Sequence, residues 1–181
     1  MNALLVSLGA GAVLFAASPT SSAVISVGKS SALTCYEAAE HHSRTLNSLN
    51  DCSRALTEAL NQEEQVATLV NRGILHMLGR NYVNAHRDFD NAIALDPSQP
   101  EAFLNKAILG VQQDRSGAAV PLLDRALALK TRKPALAYYV RGIAHEDAGN
   151  LKAAYADLVR ARTLAPGWNE PVEQLQRYRI R

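Results

Sequence analysis

One spacing constrains this chain more than any bulk property does. Between Val66 and Pro97, Leu69, Gly73 and His76 lie at helical intervals, as do Ala85, Phe89 and Ala92 beyond a Gly79-Arg80-Asn81 turn. The two apolar faces would meet, and Pro97 ends the second helix. Thirty-four residues on, Phe103, Ala107, Ala119, Leu123 and Ala126 take the places of Leu69, Gly73, Ala85, Phe89 and Ala92. After a linker one residue longer, Tyr138, Gly142, His145, Ala154, Leu158, Ala161 and Pro166 repeat the set. Self-similarity at such a period specifies helix pairs that cannot bury their faces singly and so stack on one another.

The residue types suit close packing. A small residue at Gly73 admits the facing helix at Ala85, and Phe89 fills the space beside them. The spacing resembles that of the tetratricopeptide repeat, W-x2-L-G-x2-Y…A-x3-F…P. Gly73, Ala85, Phe89 and Pro97 match it; Leu69 stands for the Trp, Arg72 for the Leu and His76 for the Tyr, and Tyr82 supplies an aromatic at the start of the second helix. The resemblance implies an all-α, right-handed α-solenoid of stacked helix–turn–helix repeats over 66–99, 100–134 and 135–166. Residues 32–65 read as a degenerate earlier pair, with Cys52 for Phe89 and Ala55 for Ala92, though the linker that follows is about three residues too long. Residues 167–181 read as a capping helix from Asn169 or Glu170 to Tyr178. Its apolar side is Trp168, Val172, Leu175 and Tyr178, and Glu173, Gln174, Gln176 and Arg177 face out; solenoids need such an end. Pro121 falls inside a predicted second helix and should kink it or move its start.

The first residues are different material. Residues 1–23 contain no Lys, Arg, Asp or Glu; Ala3 to Ala17 is apolar, and Ser21-Ser22-Ala23 offers small residues for cleavage. The run is short for a membrane span, which needs about 20 residues. Met1-Asn2 lacks the expected basic residue. The segment reads as a cleaved export signal, which leaves a periplasmic or secreted protein with no membrane insertion; a retained anchor and a cytoplasmic helix are the alternatives. Residues 24–31 read as a flexible mature N-terminus. Helices are expected over Leu33–Arg44 and Leu49–Leu60, with Asn47, Ser48 and Asn50 supplying turn and cap chemistry. The two cysteines, Cys35 and Cys52, fall one on each helix. In an exported chain they form a disulfide; the alternative is two buried free thiols.

Little in the sequence could carry catalysis. There is no phosphate-binding glycine loop, no HExxH and no GxSxG, so neither an enzyme nor a cofactor is expected. A formal charge of +2 without a basic cluster argues against nucleic acid. His76 and His145 occupy aromatic positions, so packing roles are expected; His86 lies on an outer face, and Glu37 with His41 reads as an exposed polar face rather than a metal site. Arg72 and Asp88 recur as Arg141 and Asp157, an ion pair within the repeat. In the middle repeat Lys106 faces Leu122 instead of an acid.

A second stripe runs along the first helix of each repeat. It comprises Val70, Asn71, Ile74, Met77 and Leu78, then Leu104, Asn105, Ile108 and Val111, then Tyr139, Val140, Ile143 and Glu146. The resemblance implies that this surface lines a concave groove for an extended peptide. The expected ligand-binding residues are Val70, Asn71, Ile74, Leu104, Asn105, Ile108, Tyr139 and Ile143; the alternative is that much of the stripe packs neighbouring first helices together. Basic groove residues that would grip a terminal carboxylate are missing, since Ala67, Val70, Glu101, Leu104 and Leu136 stand there. The expected activity is therefore that of an adaptor binding a protein or peptide in the cell envelope. A self-assembling homo-oligomer, its groove filled by its own N-terminus or another subunit, is the second reading.

Overall fold

Helix pairs carry all three predicted repeats. The computed structural model describes residues 30–43 and 45–178, and the expected export signal lies outside them. The first repeat pairs α3 (Gln62–Leu78) with α4 (Tyr82–Leu95), the second α5 (Pro100–Gln112) with α6 (Ser116–Ala128), and the third α7 (Pro134–Asp147) with α8 (Leu151–Leu164). Ahead of them stand α1 (Ser31–Glu40) and α2 (Leu46–Ala55), and α9 (Asn169–Leu175) follows. Each helix packs on its partner and on the next pair; in addition α3 touches α5 and α5 touches α7, so the first helices line the inner side of the stack.

Local chemistry sets the ends. A capping box starts α3 four residues before Val66: Asn61 Oδ1 accepts from Glu64 N at 2.9 Å, and Glu64 Oε2 accepts from Asn61 N at 3.1 Å. Asn81 and Asn150 cap α4 and α8 with their side chains; Arg115 occupies that place before α6, and no side-chain cap forms there. Pro121 lies within α6, which still starts at Ser116. The carbonyl that loses its donor to the proline belongs to exposed Gly117. The turns inside the pairs share one device, a residue at positive φ. Arg80 (φ 59), Asp114 (φ 57) and Gly149 (φ 76) follow the first helices, and Asn81, Arg115 and Asn150 then donate back to His76, Gly110 and His145 at 2.8, 2.9 and 2.8 Å.

In the leading hairpin the helices sit earlier than the sequence suggests. Thr45, whose side chain accepts from Ser48 N at 3.1 Å, caps α2, so Asn47, Ser48 and Asn50 lie inside that helix rather than in the turn. His42, at φ 51, makes the turn, and Ser43 N donates to Ala38 O at 2.8 Å. A disulfide joins Cys35 and Cys52 with their Cα atoms 4.6 Å apart. It stands where Gly73 meets Phe89 one pair later, a place where two helices already approach closely.

Among the described residues, three buried clusters make the core. The largest runs from Met77, Ala85 and Phe89 through Leu104, Leu109 and Leu123 to Ala137 and Ala144; a second joins Val66, Leu69, Val70, Ala92 and Ala102, and a third joins the disulfide, Ala39 and Leu75. The fit is tight at the small residues. A Cβ on Gly73 would lie 2.5 Å from the Phe89 ring, and one on Gly142 3.1 Å from Leu158.

The expected ion pairs form, and they reach further than the repeat. Arg72 donates twice to Asp88, at 2.8 and 2.7 Å, and Arg141 twice to Asp157, at 2.7 and 2.8 Å. Arg141 also bonds Asp124 of the previous pair at 2.6 Å, and Arg72 reaches Ser53 of the previous pair at 3.3 Å. Lys106, which lacks an acid within its own repeat, pairs with Asp90 of the previous one. Ser53, Asp90 and Asp124 are equivalent positions, so one polar rung ties each first helix back to the pair before it.

Candidate functional site: the inner face of the first helices

The stripe divides by exposure. Val70 is buried in one cluster with Ala102 of α5, and Leu104 in another with Ala137 and Val140 of α7. Tyr139, the equivalent residue of the third repeat, lies half-buried under α9, its ring 4.8 Å from that of Trp168. It also hydrogen-bonds Gln174, and burial pushes its phenol pKa up. Each of these three side chains packs against the next layer, as the alternative reading of the stripe expects. Ile108 is likewise buried in the central cluster.

What stays accessible is narrower. Ile74, Asn105 and Ile143 are half-exposed. Asn71 is 5% exposed, and among the described residues its side-chain amide finds no hydrogen-bond partner. Asn105 uses one amide hydrogen on its own helix, Nδ2 donating to Glu101 O at 2.8 Å, and its Oδ1 takes no described donor. Among the described residues the buried side-chain nitrogen or oxygen left without a partner is His76 Nδ1, so the Asn71 amide keeps its narrow exposed edge open to solvent or to a ligand. Amides at Asn71 and Asn105 can both donate and accept, which matches a peptide backbone of any sequence. First helices about 8–10 Å apart place the two roughly three extended residues from each other. A shallow polar recess of about 440 Å³, lined by Gln62, Glu63, Val66, Asp96 and Gln99, includes none of these residues.

No family model matches the sequence, and no curated protein matches it significantly. Solved structures do resemble it. MamA 41-end from Desulfovibrio magneticus RS-1 aligns with a TM-score of 0.65 at 20% identity, covering 83% of this chain and 84% of that one. A crystal structure of MamA aligns at 0.64 with 21% identity, covering 78% and 80%. The first TPR domain of human RPAP3 aligns at 0.58 with 24% identity, covering 62% of this chain and 87% of that domain. This chain has the tetratricopeptide-repeat fold.

Within that fold several functional-looking residues turn out to be structural. Glu101, at a groove position by sequence, is buried, and its carboxylate accepts from Thr131 Oγ1 at 3.3 Å and Arg132 N at 2.9 Å. It satisfies the linker that the missing repeat proline leaves open; the signal was Thr131 standing where Pro97 and Pro166 stand elsewhere. Glu146 is held by Tyr178 Oη at 3.1 Å and by Arg177 at 2.9 Å, while Arg177 itself stays exposed as expected. Burial, then Glu146, pushes the Tyr178 pKa up to about 12. His76 and His145 lie 3.8 and 3.9 Å from Asp88 and Asp157, each filling the aromatic position of its repeat. His86 bonds Gln113 at 2.7 Å. Among the described residues no group of three or more His, Cys, Asp or Glu is placed to hold a metal. No helix among them is long and apolar enough to cross a membrane.

Proposed function

We propose that this chain is a non-enzymatic scaffold that receives an extended stretch of a partner protein along the inner face of its first helices, in the cell envelope. The observation that carries the reading is the pair Asn71 and Asn105 on the inner face, whose amides keep hydrogen-bonding capacity that nothing among the described residues uses. Asn71 and Asn105 bond the partner's backbone, while Ile74 and Ile143 hold its apolar side chains. The repeat fold supports protein binding in general, and the Cys35–Cys52 disulfide favours an oxidising compartment.

The test is capture of partners from an envelope extract by the wild-type chain and by Asn71→Ala with Asn105→Ala. Two lost hydrogen bonds weaken capture about tenfold or more. Unchanged capture by a variant that still melts like the wild type rejects the reading.

A further inference from the structure

Among the described residues, the leading hairpin buries smaller side chains than the repeats do. Its buried cluster contains Cys35, Ala39, Cys52 and Leu75, with Leu49 and Leu78 alongside, and no fully buried side chain described in α1 or α2 matches Phe89, Leu123 or Leu158 in size. At ten residues each, α1 and α2 are shorter than helices that persist in water unaided. Ser31 hydrogen-bonds Glu58 at 2.5 Å and Arg54 at 2.7 Å within the hairpin and its linker. Between α2 and α3 the linker spans residues 56–61, against 96–99 between α4 and α5, which leaves the hairpin room to leave its seat. The first repeat has ties of its own that do not involve the hairpin. Its Gly73–Phe89 contact and double Arg72–Asp88 bond are internal, while Leu75 and Leu78 pack on the hairpin, Cys35 Sγ lies 4.0 Å from Thr68 O and Arg72 reaches Ser53 at 3.3 Å.

We propose that a dithiol reductant acting on Cys35–Cys52 releases the α1–α2 hairpin from α3 and uncaps the N-terminal end of the solenoid, while the three repeats and α9 stay folded. A reductant thiolate attacks one cysteine sulfur and the other leaves as a thiolate; the reductant's second thiol then displaces the first cysteine. The protein gains two thiols and the reductant becomes a disulfide. Both cysteine sulfurs belong to fully buried residues, so the attack needs the hairpin to open, and reduction then removes the constraint that closes it again. The uncapped α3 presents Thr68 and Leu75, both now 2% exposed.

The experiment is hydrogen exchange by mass spectrometry on the full chain, oxidised and after dithiothreitol. Closing a 17-residue separation favours the closed hairpin about 100-fold, so exchange in α1 and α2 should rise by about that factor while α5–α8 change less than about threefold. Cys35→Ala with Cys52→Ala should reproduce the reduced pattern and ignore dithiothreitol. Unchanged protection in α1 and α2 in either sample, or protection lost through all helices together, overturns the proposal.

Discussion

Replacing Gly73 with alanine puts a methyl group 2.5 Å from the Phe89 ring, and the ring sits in a fully buried pocket. Overpacking of that kind costs about 1–3 kcal/mol, whereas Gly142→Ala, at 3.1 Å from a Leu158 carbon, should cost under about 1 kcal/mol. Urea denaturation of the two variants checks the order. Asn71 separates stability from binding. Asn71→Leu exchanges an amide that bonds nothing among the described residues for an apolar group of similar size, so stability should change by under about 1 kcal/mol while partner capture falls. His76 carries a pH dependence. Burial lowers its pKa below the ordinary 6.5, outweighing Asp88, which raises it; Arg72 and Arg87 lower it further. As pH falls through 6.5 the unfolded chain takes up the proton first, so stability present at pH 7 is lost down to the lower folded value. Melting temperatures from pH 7 to 5 should show this loss, and His76→Phe should reduce it. At this scale the sequence was most legible where a residue type is unusual for its place. Gly73, Arg72 with Asp88, and the cysteine pair all announced their contacts, whereas the burial of Glu101 depends on a linker thirty residues away.

Among elements, the turns hold the next prediction. Arg80, Asp114 and Lys130 adopt positive φ in turns where Gly149 does the same without penalty. A left-handed residue costs about 1–2 kcal/mol, and glycine gives back up to about 1 in unfolded-chain entropy, so Arg80→Gly and Lys130→Gly should each stabilise by about 0.5–1 kcal/mol. Thermal denaturation reads this directly. The sequence located the turn at Gly79-Arg80-Asn81 without showing which member takes positive φ, because glycine draws the eye and sits at φ −80. The leading hairpin was misplaced by about three residues for a related reason. Thr45 and the capable cap residues Asn47, Ser48 and Asn50 compete locally, and the Cys35–Cys52 bridge decides the register from a distance. The long linker into α3 was read as three surplus residues; four residues before Val66 belong to α3, started by its capping box.

At the scale of the whole molecule, periodicity made the architecture readable, since every repeat gives the same packing answer independently. The candidate site was less readable. Positions on the inner face and positions that stack one first helix on the next differ by about 100° or less around the helix, so Val70, Leu104 and Tyr139 look like groove residues until the neighbouring layer is present. The rungs through Arg72, Lys106 and Arg141 join successive pairs from outside the repeat motif and were only half visible in it. If the chain works as proposed, its inner face, at Ile74 and Ile143, meets a partner and its outer face does not. A photo-crosslinking benzophenone residue placed at Ile74, at Ile143 and at Val83, which is 81% exposed on α4, tests it in extracts of the source cells. Adducts to one common protein are expected from Ile74 and Ile143, and none to that protein from Val83. Equal adducts from Val83, or none from either inner position, would contradict it.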